Sequence, residues 1–306
     1  MANTFLTPDL IATRGLATLY ETTVMAQLVH RDFDADFRGR QGDTVTVRKP
    51  ATFTAGEFDR ATGIVPQNAT EGSVDVTLNH FADVSFTVTT EQLALEIEDF
   101  GAQLLDPAME AISQKIDRDL LALRSDVTAE VGVAATSGHD WDTPEVLIDA
   151  GTTLNLAKVP TNERRAVVGP TTNGAWLDSP VLKQVNTSGS TDALREAFIG
   201  RRLFGFDPYW TQNVEQPAAS PAVGEPTTEV GVAFHRTAFA LVTRPLEQTP
   251  GVQDIAIMNY NGFSLRVVYD YDIKYKQTVV SVDCLYGTKT LDANRAVLLK
   301  GADATV

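Results

Sequence analysis

Residues 90–126 read TEQLALEIEDFGAQLLDPAMEAISQKIDRDLLALRSD. Apolar side chains recur at Ile97, Phe100, Leu104, Ala108, Ile112, Ile116, Leu120 and Leu123. The gaps of three or four residues keep one face of an α-helix apolar. Leu105, Met109 and Leu121 widen the stripe, and Glu110, Gln114, Asp117, Arg118 and Arg124 fall on the face expected to be wet. Pro107 either kinks one long helix or takes the first helical position with Asp106 as its cap. From Pro107 to Asp126 such a helix is about 30 Å long. The sequence on both sides is β-rich, so this helix is expected to lie as a spine across sheets.

Upstream of the spine the period changes to two. Asp43 to Lys49 alternates, with Val45 and Val47 on one side. Ser73 to Thr89 alternates for longer: Val74, Val76, Leu78, His80, Ala82, Val84, Phe86 and Val88 share a face. One unbroken strand of this length spans about 50 Å, well beyond the usual five or six residues. Between the two alternating runs lies a stretch rich in Gly, Ala and Thr. The whole reads as a long two-stranded hairpin with a broad tip. Such a hairpin is marginal alone in water, so its apolar face needs a partner surface. Phe86 and Val88, nearest the spine, are expected to serve the subunit's own core, and Val74 and Val76 to lie over a neighbouring chain. Further upstream, Pro8 to Asp32 has helical character and reads equally as a core helix or as a segment packed on another chain.

Downstream, Thr143-Pro144-Glu145 predicts a helix start, with Val146, Leu147, Ala150 and Leu154 as its buried face. Arg165 to Gly169 reads as a short buried strand, Asp192 to Ile199 as a short helix, and Leu203 to Val214 as extended. The proline-rich run Glu215 to Glu229 reads as an exposed loop. Val230 to Val242 reads as a strand turning into a short helix. Phe263 to Tyr275 alternates throughout; Thr278 to Tyr286 predicts a second strand, Gly287 a turn, and Arg295 to Lys300 a closing strand.

The 306 residues carry a formal net charge of −15, which repels nucleic acid and anionic lipid. One cysteine, Cys284, permits no intrachain disulfide and reads as a buried structural thiol. No basic and apolar leader opens the sequence, and no run is apolar enough for a membrane span. The histidines His30, His80, His139 and His235 lack zinc-ligand spacing. Nucleophile elbows, phosphate loops and dinucleotide fingerprints are missing too. No catalytic, cofactor-binding or metal residue is therefore assigned, and the chain reads as a non-enzyme.

The order of elements is the informative signal, together with four stretches: 84–121, 165–177 (RAVVGPTTNGAWL), 232–247 (VAFHRTAFALVTRPLE) and 269–299. With these the chain resembles the major capsid proteins of tailed bacteriophages, the Hong Kong ninety-seven fold, and most of all the P-twenty-two-type coat proteins. The resemblance implies an α+β fold made of an N-terminal arm (1–40), an extended loop (41–89), a spine helix (90–126), an axial domain (127–262) and peripheral-domain strands (263–306). It implies self-assembly into hexamers and pentamers of an icosahedral shell around double-stranded DNA, with the virion as location and assembly in the host cytoplasm. Scaffolding and portal proteins are implied partners, and Val74, Val76, Leu78, Val84 and Phe86 of the extended loop are implied inter-subunit residues. The chain departs from the family in two ways. It has no room for a large inserted domain, so stabilisation is expected from elsewhere, for instance a decoration protein. Ala51 to Gly72 holds no lysine for an isopeptide weld. Encapsulin compartments share the fold and are the alternative; a small-molecule α/β enzyme is the third reading.

Overall fold

The structure is a computed structural model that describes residues 24–31, 44–49, 71–89, 106–183, 202–244, 254–260 and 263–305, with single positions between them. The arm outside 24–31, the start of the spine with Ile97 and Phe100, and the helix expected at 192–199 (Ile199 excepted) lie outside the described residues. In chain order the helices are α1 (Met25–Leu28), α2 (Asp106–Ala122), α3 (Ala134–Ser137), α4 (Val146–Leu156), α5 (Pro170–Asp178) and α6 (Pro180–Lys183). The strands are β1 (Thr44–Lys49), β2 (Gly72–Thr77), β3 (His80–Thr89), β4 (Glu130–Val131), β5 (Arg164–Val168), β6 (Asp207–Trp210), β7 (Gly231–His235), β8 (Phe239–Arg244), β9 (Asp254–Tyr260), β10 (Phe263–Asp272), β11 (Gln277–Thr290) and β12 (Ala296–Leu299).

Helix α2 is the spine, and Pro107 lies in its first turn, where a missing N–H costs nothing. Two rows of side chains spaced by four are buried. Ala108, Ile112, Ile116 and Leu120 form one; Met109, Ser113, Asp117 and Leu121 form the other. The spine is thus embedded along a wider band than its apolar stripe alone implied. Asp117, expected on the wet face, has no exposed surface at all.

The described strands form two five-stranded sheets and one two-stranded ribbon. The first sheet runs β3-β11-β10-β9, all antiparallel, with β8 paired to the far end of β11. The second runs β4-β12-β7-β5-β6, with parallel pairs at both edges. Two chain segments cross between the sheets side by side. The first is β7, a 3₁₀ turn at Arg236–Ala238, and β8. The second is β11, a 3₁₀ turn at Ala293–Arg295, and β12. Leu291 N–H donates to the Ala238 carbonyl at 2.8 Å, and Arg295 donates to Thr237 Oγ1 at 2.5 Å, so the two bends are stitched together. Sheet membership therefore does not change at residue 262: β8 and β9 belong with β10 and β11, whereas β12 belongs with β7. The spine packs under both sheets, its core joining Val280, Val282 and Cys284 of one to Val167, Val232 and Phe234 of the other. A second core lies between α4, α5 and the second sheet, where Val146, Leu147, Ala150 and Leu154 are all fully buried as their spacing predicts.

Four local expectations are corrected. Residues 230–242 form strand, 3₁₀ turn and strand rather than strand and helix. Thr143 does not cap α4; its hydroxyl donates to the Asp140 carbonyl and the helix begins three residues later. Gly287 is not a turn but lies inside the 14-residue β11. A Cβ there would stand 2.1 Å from the Thr77 carbonyl oxygen, so glycine is required for close approach of β2, not for a bend. The run 73–89 is not one strand: β2 ends at Thr77 and β3 starts at His80 with a different partner.

Candidate assembly surfaces

The β1–β2 ribbon leaves the body at this break. Six residue pairs join its strands, from Thr44–Thr77 to Lys49–Gly72. That is about 20 Å of ribbon. Its base is fixed by a small core in which Val45, Val76 and Val242 of β8 are buried, with Val47, Leu78 and Leu291 packed against them. Beyond Lys49 the described tip positions carry Phe53, Phe58 and Ile64, which are 65%, 68% and 83% exposed. The chain itself leaves these three large apolar side chains in water.

The five hairpin residues expected to meet a neighbour are not equivalent. Val84 and Phe86 lie on β3 and pack, half-buried, on the main core. Val74 and Leu78 are half-buried on the ribbon. Val76 is fully buried against Val45 and Val242 of its own chain, so its expected position over a neighbour is corrected. Alternation placed all five on one face; in the fold Val76 and Leu78 pack on the small ribbon core and Val84 and Phe86 on the main core. It could not say that β11 takes the second half of the run as its partner while β1 takes the first. The exposed tip residues carried no periodic signal and were missed.

The spine holds the body together through two acids that point in different directions, Asp117 fully buried and Asp119 partly exposed. Asp117 accepts from the backbone N–H groups of Val24 at 3.3 Å and Met25 at 3.2 Å, and from Asn213 Nδ2 at 3.2 Å. It thereby ties the end of the arm, where Met25, Ala26 and Leu28 are buried, to the segment that follows β6. Burial pushes its carboxyl up to about 6, against the lowering effect of those three hydrogen bonds. Asp119, on the neighbouring side of the helix, accepts from Tyr286 Oη at 2.5 Å and Lys115 Nζ at 3.1 Å. The His80 ring stacks on Tyr286 with centroids 5.2 Å apart and presents Nδ1 3.5 Å from Asp119. Burial and then the Asp119 carboxylate push the Tyr286 phenol up. These clusters join elements, and each member faces a partner within the chain.

Among the described residues no group of three or more His, Cys, Asp or Glu side chains could hold a metal ion. Cys284 is buried in β11 with no exposed surface. His139 is half-buried, its Nδ1 3.0 Å from Asp149. No described helix is long and apolar enough to cross a membrane.

No protein-family model matches the sequence, and no curated protein matches it either. Solved structures do. A chain of Mycobacterium phage Che8 superposes with a TM-score of 0.69 at 21% identity, covering 90% of both chains. The capsid structure of the cyanophage P-SCSP1u gives a TM-score of 0.61 at 13% identity, over 92% of this chain and 89% of that one. The virus-like particle from Pyrococcus furiosus gives 0.52 at 13% identity, over 94% and 96%. The chain has the α+β fold of phage capsid shells, the Hong Kong ninety-seven fold, over nearly its whole length.

Proposed function

We propose that this chain, with the fold of phage capsid shells, is a major capsid protein that assembles into hexamers and pentamers of an icosahedral shell around double-stranded DNA. One observation carries the reading: Phe53, Phe58 and Ile64, in the segment between the two ribbon strands, are left exposed by the chain itself. In a lone chain such exposed apolar side chains are an aggregation hazard; over a neighbouring subunit they become interface. The accessible parts of Val74, Leu78, Val84 and Phe86 extend this surface toward the body. Val76 contributes by anchoring the ribbon rather than by touching a neighbour. In this reading 1–40 is the arm, 41–89 the extended loop, 90–126 the spine, 127–262 mainly the axial domain, and 263–306 mainly peripheral strands.

The shell assembles in the host cytoplasm with scaffolding and portal proteins, and a decoration protein can supply stability that no inserted domain gives here. The charge of −15 suits a lining that DNA slides past without sticking. Likeness to the P-twenty-two-type coat proteins belongs to the proposal. The likeness to a Pyrococcus virus-like particle supports a second reading, an encapsulin-type compartment around a protein cargo. Negative-stain microscopy and sedimentation of the chain, alone and co-expressed with neighbouring phage genes, test the proposal. Megadalton shells are expected, and nuclease-protected DNA within them separates a capsid from a compartment holding an enzyme. A small monomer under every condition refutes both.

A further inference from the structure

Arg164 is 5% exposed, and among the described residues it forms no salt bridge. Its Nε donates to the Pro160 carbonyl at 2.8 Å. Its Nη2 donates to the Val159 carbonyl at 2.7 Å and to Asn155 Oδ1 at 2.8 Å. All three acceptors are neutral. The Phe206 ring centroid lies 5.9 Å from the guanidinium carbon. Burial lowers the guanidinium, and no carboxylate acts on it in the opposite sense. Glu163, its neighbour in sequence, pairs instead with Arg236 at 3.4 Å. The C-terminal end of α4 supplies part of the missing counter-charge, about half an elementary charge. Nη1 makes only a 3.5 Å contact with the Gly151 carbonyl, so donor capacity is left over.

This guanidinium lines an open groove of about 380 Å³ between α4 and the turn at Leu203–Phe206. Arg202 and Thr161 line the groove as well, and among the described residues no Asp or Glu does. Arg202 is exposed and forms no ion pair among the described residues. Ile148 and Phe204 add an apolar lip, 41% exposed at each. Phe204 and Gly205, with φ of +48° and +90°, close a two-residue turn in which Leu203 and Phe206 exchange hydrogen bonds of 2.8 and 2.9 Å. Such turns favour Asn-Gly, so phenylalanine at the first position is strained. Strain of this kind gathers where a side chain serves a ligand.

We propose that this groove is a binding site for a phosphate-class oxyanion, held between the guanidinium groups of Arg202 and Arg164 with the Thr161 hydroxyl as a further donor. Planar guanidinium donors match the oxygens of such an ion, and the bound charge offsets a buried cation that has no carboxylate. The inference is independent of shell assembly. A nucleic-acid strand is the poorer occupant, because two arginines do not overcome the repulsion between a polyanion and a chain at −15. A single small ion meets far less of that repulsion. Two sources share the chemistry: free phosphate, and a phosphate ester whose organic part lies against Ile148 and Phe204.

The test titrates the full chain, in a buffer free of oxyanions and at constant ionic strength, with inorganic phosphate and with phenyl phosphate. Calorimetry should show saturable binding of one ion per chain, and phosphate should raise the Tm where chloride at equal ionic strength does not. Tighter binding of phenyl phosphate assigns the site to an organic ester; equal binding assigns it to free phosphate. Arg202→Gln should keep the circular dichroism and the phosphate-free Tm, since the side chain is exposed. It should weaken binding at least about tenfold, the loss of one hydrogen bond to a charged group, and Arg202→Lys should recover part of it. No saturable binding by the wild-type chain, or the same phosphate affinity in wild type and Arg202→Gln, would overturn the inference. Neither result bears on whether the chain forms shells.

Discussion

Substituting Asp117→Asn tests how the spine holds the arm. Asp117 has no exposed surface, and burial raises its carboxyl from 3.8 in the unfolded chain to about 6. A raised folded value means the native state binds the proton more tightly than the unfolded state does. Stability from this group is therefore fully present below pH 3.8 and is lost as pH rises through about 6. A shift of about 2 units corresponds to about 3 kcal/mol, which is the cost of keeping the carboxylate ionised and buried at neutral pH. Asparagine removes that cost at every pH. It still offers Oδ1 to the Met25 N–H, and a rotated Asn213 amide can accept from its NH₂. The Val24 N–H loses its acceptor, which costs about 1 kcal/mol. The variant is then expected to be less stable than wild type near pH 4 and as stable or more stable at pH 8. The difference between the two should swing by about 3 kcal/mol across that range. Urea unfolding of the unassembled subunit at half-unit pH steps measures it. Asp117→Ala provides the contrast, because orphaned N–H groups and a cavity destabilise it at every pH by about 2–4 kcal/mol. A wild-type-minus-Asn difference that stays flat from pH 4 to pH 8 would refute the claim that the carboxylate is desolvated in the fold.

Gly287→Ala should cost more than about 2 kcal/mol and loosen the β1–β2 ribbon, because its Cβ meets the Thr77 backbone at 2.1 Å; faster amide exchange at Val45 and Val76 reads it. Tyr286→Phe removes the 2.5 Å hydrogen bond to Asp119 and should cost about 1.5–3 kcal/mol, measured by thermal unfolding. Phe53→Asp with Phe58→Asp should leave the subunit's circular dichroism unchanged yet prevent closed shells in electron micrographs, since both side chains are exposed in the lone chain. Filter binding at moderate salt should detect no tight duplex-DNA complex of the subunit; a salt-dependent nanomolar Kd would reveal a basic groove that the charge of −15 conceals.

Much of the fold is legible in periodicity. The apolar positions of the spine from Ala108 to Leu121, the four buried residues of α4, and the alternating burial along Val74 to Val88 all follow from periods of 3.6 and 2. Period reports which side of an element is dry. It does not report what covers that side. The run 73–89 keeps its alternation across Leu78 and Asn79, so nothing local marks the point where β1 yields to β11 as partner. Gly287 looks like a turn because a missing side chain serves bends and close approaches alike; only the passing Thr77 backbone decides between them. Asp117 is assigned to water by its polarity, yet it continues the buried row of Met109, Ser113 and Leu121 because Val24, Met25 and Asn213 supply hydrogen-bond donors there. What the sequence determined by itself is the set of elements and their dry faces, which depend on neighbours within a few residues. What only the tertiary structure decided is partnership between strands and the burial of charge, because both depend on groups that distant segments bring together.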